Sequence, residues 1–417
     1  MITLKQALKL ERKSFRKMQE ACRAGRKERA RRETKRYFGS HAAKVVALQR
    51  ASRKSKLHWT AETLNLNAEQ LDPWVGADER VTYRTREKAG GGVRVTCRYG
   101  VRNRALQYMV ARVVDAHTPE LPGRFDKKGR GRNAAAVMIA ALILRRGITH
   151  AVIADIQNCY PSFDAARLPE LLPLPDRVVR SVISQRPRNL FSTRRTRHVP
   201  QYGYRRSRNR STDPGHWLVS GLPQGSAASP FVERYLLGSA LSSTQGAYSL
   251  AFADDYACLS TGVQDACAVQ YSLHAYFDAH PAGPFVVRSQ MHRVSQGCEF
   301  LGYRFKAVSI SGHRDCYVDL SRKSFRKLYR KLCVAAEIDA RNGNPDTPRL
   351  RIVCQQQFAA HSSLSWGDYA EMMVRIEVSA EIASGGRRIR SAVRNALETA
   401  KRSALRQRFV IAPDLSR

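Results

Sequence analysis

Two short apolar segments carry the carboxylates that most restrict what this chain can be. Residues 150–156, HAVIADI, read as a short strand ending in a carboxylate, Asp155. Residues 248–259, YSLAFADDYACL, read as two short strands joined by an acidic turn at Asp254 and Asp255. Adjacent ionised carboxylates repel each other, and a divalent cation between them stabilises the charged form. Phosphoryl transfer to a 3′-hydroxyl uses such a site, with two Mg²⁺ ions about 3.5–4 Å apart held by carboxylates. Taken alone, an Asp-Asp turn is a common feature, so the weight must come from the rest of the chain.

The charge balance makes the three carboxylates stand out. The 417 residues hold 72 Lys and Arg against 35 Asp and Glu, a net charge of +37. A charge of that size implies a polyanion partner or an anionic membrane surface. No stretch approaches the ~20 apolar residues of a spanning helix. The start, MITLKQALKLERK, has no apolar core of a secretory signal. Nucleic acid is therefore the expected partner, with no membrane, and the expected compartment is the cytoplasm. Hydrophobic residues make up 43 %, enough for a folded core. The nine cysteines are scattered and never form C-x-x-C, so they are expected to be reduced thiols rather than zinc ligands.

Residues 1 to about 60 read as basic helix, with Leu4, Leu8, Phe15 and Met18 at helical spacing and phosphate-backbone contact expected on the other faces. Residues 79–100 read as a basic hairpin around Gly90-Gly91-Gly92, and residues 101–118 as a helix. The Gly- and Arg-rich loop 123–133 precedes an Ala-rich helix. Arg94, Lys127, Lys128, Arg130 and Arg132 are candidates to hold triphosphate or template. Residues 186–210 form a long basic loop in which Tyr202 and Tyr204 lie among Arg205, Arg206, Arg208 and Arg210. Aromatic rings to stack on bases, beside guanidiniums to pair with phosphates, suit a single strand. Beyond Leu320 the chain reads as basic helix.

Two further segments give the acidic residues their context. Residues 155–164 are DIQNCYPSFD, and residues 221–230 are GLPQGSAASP. With F-A-D-D at 252–255, these resemble motifs A, B and C of the reverse transcriptases, in order and at matching spacings. Residues 300–303, FLGY, resemble the primer-gripping element of that family, and residues 90–110 resemble its fingers segment. The resemblance covers about 80–305.

The resemblance implies an α+β right-hand polymerase. A basic helical N-terminal extension (1–75) would precede fingers (76–150), a palm of antiparallel sheet backed by helices (151–305) and a helical thumb-like region (306–417). Asp155, Asp254 and Asp255 would be catalytic and would hold two Mg²⁺ ions, or Mn²⁺, with help from the Ile156 carbonyl. Arg94, Tyr160, Gln224 and Gly225 would bind the incoming nucleotide. Tyr160 would fill the space of a ribose 2′-hydroxyl and so favour deoxynucleotides. Gly221 and Gly225 would let the backbone approach a base pair, and Ser226 and Ser229 would cap a helix. Phe300, Leu301, Gly302 and Tyr303 would grip the primer.

The chain departs from the family where a lysine usually serves as general acid. Residues 284–293 hold Arg288, a poor acid, and His292 is the candidate in its place. Val137 also stands where retron enzymes carry a His. What remains resembles the compact bacterial reverse transcriptases, including defence-associated groups. That implies a structured non-coding RNA template, a DNA primer or product, deoxynucleoside triphosphates, an antiviral role, and an accessory protein or self-association. Two alternatives stay open, a template-independent or protein-primed polymerase on the same palm and a non-catalytic RNA-binding or splicing cofactor.

Overall fold

A computed structural model describes residues 1–87, 93–127, 129–184, 190–192, 221–310, 313–342, 347–359, 376 and 393–399. In chain order its main elements are α1 (Leu4–Arg23), α2 (Lys27–Gly39), α3 (His41–Lys54), α4 (Ala61–Gln70), β1 (Val81–Glu87), β2 (Val93–Arg98), α5 (Val101–His117), α6 (Arg132–Arg145), β3 (His150–Ile156) and β4 (Leu190–Ser192). There follow α7 (Ser229–Leu237), β5 (Tyr248–Phe252), β6 (Asp255–Ser260), α8 (Val263–Asp278), β7 (Val287–Arg293), β8 (Cys298–Phe300), β9 (Tyr303–Ile310), β10 (His313–Leu320), α9 (Arg322–Arg341) and α10 (Pro348–Ala359). Helix and sheet are thus mixed, as expected. The chain divides into two compact units, one of residues 1–122, 156–240 and 274–287, the other of residues 123–155, 241–273 and 288–417.

In the first unit, α1 starts at a capping box. The Gln6 N–H donates to Thr3 Oγ1, and the Thr3 N–H donates to Gln6 Oε1. The buried seam of α1 is Ala7, Glu11, Phe15, Met18 and Ala21, with Leu4 and Leu8 half-buried beside it. Glu11 is 1 % exposed in an otherwise apolar seam, and it is paired. It accepts from Arg112 Nε of α5 at 2.9 Å and from the Tyr37 hydroxyl at 3.2 Å, while Arg112 lies 3.3 Å over the Phe15 ring. A buried charge needs such partners to persist.

The hairpin β1–β2 alternates strictly. Val81, Cys97 and Tyr99, with Tyr83 and Val95, form one apolar face. Arg84, Arg86, Arg94 and Arg98 are exposed on the other. Within the stretch expected to be loop, Leu190–Ser192 instead forms a parallel strand on β1, Val81 opposite Leu190.

The second unit holds the sheet that carries the carboxylates, in the order β5-β6-β3-β7. The ladder β3–β6 is antiparallel, from His150 opposite Ser260 to Asp155 opposite Asp255. Two hydrogen bonds bracket β3 and β7, Gln157 N to Val286 O at 2.8 Å and Val294 N to Thr149 O at 2.9 Å. Both fit one antiparallel register, which sets Asp155 opposite Arg288 and Ala151 opposite His292. One face of the sheet, with Ala151, Ile153, Ala257 and Leu259, packs into a core with α6, Phe300, Tyr303 and Phe305. On the other face Val152 and Cys258 pack against Ala266 and Val269 of α8. Each large side chain so buried contributes about 1.5–3 kcal/mol. A second sheet runs β10-β9-β8. Leu328, Leu332 and Cys333 of α9, with Leu350 and Cys354 of α10, form a separate cluster.

None of the nine cysteines is in a disulfide, and seven are buried. Among the described residues no helix is long and apolar enough to cross a membrane.

Candidate active site

The carboxylates gather at one end of the β3–β6 ladder. Residues directly opposite in a ladder project to the same face, so Asp155 and Asp255 share the face whose remainder is apolar core. Phe252 pairs with Asp255, which leaves Ala253 and Asp254 as a two-residue turn. Ala253 has φ 53, in the left-handed region that alanine rarely occupies. Strain of that kind in a turn carrying charged residues is a mark of functional sites.

The electrostatics fit the geometry. Asp155 is exposed, and Asp254 and Asp255 are half-buried. The Asp255 carboxyl is pushed up to about 7, first by burial, then by the charges of Asp254 and Asp155. In a chain of net charge +37, a carboxylate that titrates this high lacks compensation from the protein's own cations. Among the described residues no three His, Cys, Asp or Glu side chains close into a metal cage. Mg²⁺ does not require one. It binds through one or two carboxylates and completes its shell with water and substrate phosphates. The three carboxylates therefore fit an open Mg²⁺ site.

The edge of this sheet is extended by the Gly- and Arg-rich loop. Ala251 N donates to Gly123 O at 2.8 Å, and Phe125 N donates to Ala251 O at 2.9 Å. Arg124, fully buried, forms a two-pronged pair with Asp126 at 3.0 and 3.1 Å. Sequence reading did not single out this pair, although an Asp two residues after an Arg in a basic loop was its visible trace. Arg130 and Arg132 are exposed, Lys127 is half-buried, and Lys128 lies outside the described residues.

The residues expected to meet the nucleotide belong to the first unit, which the chain enters at Ile156. Tyr160 is half-buried in the one-turn helix Cys159–Ser162. Its carbonyl accepts from Leu222 N at 2.8 Å. A Cβ on Gly221 would meet the Tyr160 carbonyl and the Pro161 backbone. Gly225 has φ 100, and its neighbour Gln224 accepts from Cys97 N at 2.7 Å through its carbonyl. The two glycines thus let the 221–225 loop bridge two other backbones, Tyr160-Pro161 and strand β2. That bridge places Tyr160, Gln224 and Gly225 on one loop system with the strand that bears Arg94.

Arg94 is exposed and stands opposite Arg86. Like charges so placed destabilise a ladder, and a bound anion would relieve them. Ser226 and Ser229 do not cap α7, whose N-cap is Ala228 without a side-chain bond. Ser226 Oγ instead accepts from Ala228 N at 3.2 Å, and Ser229 donates to Pro223 O at 2.9 Å. Both hydroxyls are used within the loop itself.

Phe300 and Tyr303 are core residues, 4 % and 1 % exposed. Tyr303 donates its hydroxyl to Asn133 Oδ1. Between them Leu301 (φ 52) and Gly302 (φ 84) form a two-residue hairpin turn with both φ positive. Both turn residues are half-buried, and Leu301 packs against the same core. His292 is not brought to the carboxylates. It stands opposite Ala151, four residues from Asp155 along β3, and the residue beside Asp155 on β7 is Arg288. Tyr202, Tyr204, Arg205, Arg206, Arg208 and Arg210 lie outside the described residues, as do Gly90, Gly91 and Gly92.

No protein-family model matches the chain, and no curated protein matches it. Its fold is similar to that of a solved structure, the Sicinivirus 3Dpol RNA dependent RNA polymerase, with a TM-score of 0.43 and 10 % sequence identity over 83 % of this chain and 72 % of that one. A likeness of that size identifies no family.

Proposed function

We propose that the chain is a Mg²⁺-dependent nucleic-acid polymerase that copies RNA into DNA. One observation carries this reading, the placement of Asp155 directly opposite Asp255 with Asp254 in the adjoining turn. The three residues fall in the segments that resemble motifs A and C of the reverse transcriptases. The coarse architecture of fingers, palm and thumb, with the helical N-terminal extension, belongs to the same proposal.

Bound Mg²⁺ would make the primer 3′-hydroxyl a better nucleophile and neutralise the departing pyrophosphate. Asp155, Asp254 and Asp255 would hold it, and the Ile156 carbonyl would contribute from the end of the strand. Arg94 would pair with triphosphate oxygens through its planar fork of donors. Tyr160, fixed through its main chain to the 221–225 loop, would exclude a ribose 2′-hydroxyl, and Gln224 and Gly225 would line the nucleotide. The Leu301-Gly302 turn would bear on the primer strand. A structured RNA as template and an antiviral role follow from the resemblance to compact bacterial enzymes.

Primer extension on an RNA template with Mg²⁺ tests the reading. Asp155→Asn and Asp254→Asn should each reduce incorporation by orders of magnitude while the melting curve is retained, since each ~1.4 kcal/mol of barrier is tenfold in rate. Wild-type rates in both variants would refute it.

A further inference from the structure

The end of the sheet remote from the carboxylates holds a different cluster. Asp155 lies five residues after His150 in β3, about 16 Å of extended strand. The β3–β7 register sets His150 opposite Arg293 on one face. A cavity of about 360 Å³ opens here, lined by His150, Val263, Met291, His292, Arg293 and the Gln296-Gly297 turn. Gly297 has φ 98, and a Cβ on it would sit 3.2 Å from Arg304 Nε, so a second guanidinium lies against the turn.

The lining contains no Asp or Glu. Among the described residues neither Arg293 nor Arg304 joins an ion pair. The acids that the fold sets nearby are Glu299 and Asp319, opposite Arg304 in the β8–β9 and β9–β10 ladders, and Asp265 in the first turn of α8. None of the three is among the residues that line the cavity. Val263 begins α8, a helix of 16 residues, so the field of that helix terminus adds to the positive side.

We propose that this cavity binds a phosphate group of a nucleic-acid strand. Arg293 offers a planar fork of donors that matches two phosphate oxygens. His150 stands on the same face as Arg293, its Nδ1 held by Thr149 Oγ1 at 2.8 Å, which fixes the ring beside the guanidinium. Met291 and Val263 give one wall the apolar character that a sugar or base edge can cover. The glycine at the turn leaves room for the ligand beside Arg304. This site is separate from the carboxylates and does not depend on the polymerase reading.

Met291 provides a local probe, because the chain has only seven methionines. Methyl-labelled methionine spectra of the full chain would be recorded, with the Met291 signal identified from Met291→Leu. Inorganic phosphate and a short single-stranded RNA would be titrated separately. The Met291 signal should shift saturably, and Arg293→Ser should weaken the apparent affinity by roughly tenfold, the loss of one charge-assisted contact. Arg293 is exposed, so the variant should keep its melting curve. A full shift with phosphate alone would support the site with free phosphate as a sufficient ligand, and a shift with RNA alone would support it as a strand site. No shift at Met291 with either probe, or an equal response in Arg293→Ser, would overturn the proposal.

Discussion

Asp155 and Asp255 face one another directly across the β3–β6 ladder, and Arg288 of β7 stands on the other side of Asp155. A like-charged pair in that position destabilises the sheet in the absence of a counterion. The fold keeps the pair at the end of a face that is otherwise packed core.

The first prediction uses the titration of Asp255. Its folded-state carboxyl titrates at about 7, above the ordinary value of 3.8, chiefly through burial and then through Asp254 and Asp155. The folded protein therefore holds this proton more tightly than the unfolded chain. The resulting stability is full below about pH 4 and is lost as pH rises through about 7. In Mg²⁺-free buffer, thermal melts of Asp255→Asn should lack this part of the decline and should lie above wild type at neutral and higher pH. Added Mg²⁺ should raise the wild-type midpoint and leave the variant nearly unchanged. Parallel pH profiles for the two proteins would remove the argument that burial and the neighbouring carboxylates raise Asp255.

The strands and turn that bear the carboxylates are legible in the sequence, because short apolar runs broken by one acidic pair have few other ways to fold. So are α5, α6 and the alternation of the β1–β2 hairpin. The placement of His292 was not legible, since residue chemistry nominated it but strand register decides what lies beside Asp155. That register depends on pairing between residues far apart in sequence, Gln157 with Val286 and Thr149 with Val294. For the same reason Leu190–Ser192, a strand by virtue of its partner β1, read as loop. Phe300 and Tyr303 show a further gap. Sequence reading assigned four residues to one contact surface, whereas Phe300 and Tyr303 are buried in the core and Leu301 and Gly302 form a half-buried turn between them.

The second prediction concerns sugar choice. Tyr160 is held through its carbonyl by Leu222 N and is crowded by Gly221, so its backbone should stay in place when the ring is removed. Tyr160→Ala should increase incorporation of ribonucleotides relative to deoxynucleotides, read as GTP against dGTP in competition on one template. Overall rate should fall as well if the ring supports the sugar. An unchanged ratio would show that the ring does not act as the gate.

The third prediction concerns the turn at the carboxylates. Ala253 has φ 53, where a side chain costs about 1 kcal/mol relative to glycine. Ala253→Gly should relieve that strain and raise the melting midpoint slightly, while loosening the position of Asp254. Incorporation should then fall although stability does not. If activity rises or holds with the added stability, the strained backbone is not what fixes Asp254.

The fourth prediction tests the pair that joins α1 to α5. Glu11 is 1 % exposed and accepts from Arg112 Nε at 2.9 Å, in a seam otherwise made of Ala7, Phe15, Met18 and Ala21. Removing one partner leaves a charge buried without compensation, which typically costs about 3–5 kcal/mol. Replacing both by apolar residues of similar volume removes the charge altogether and is often neutral. Glu11→Leu and Arg112→Met should each lower the melting midpoint markedly, with Arg112→Met the worse because it strands the carboxylate and also removes the cation over the Phe15 ring. The double variant should recover most of the loss. If the two single losses simply add, the pair contributes no coupling, and the helices of this unit are held together by their apolar contacts alone.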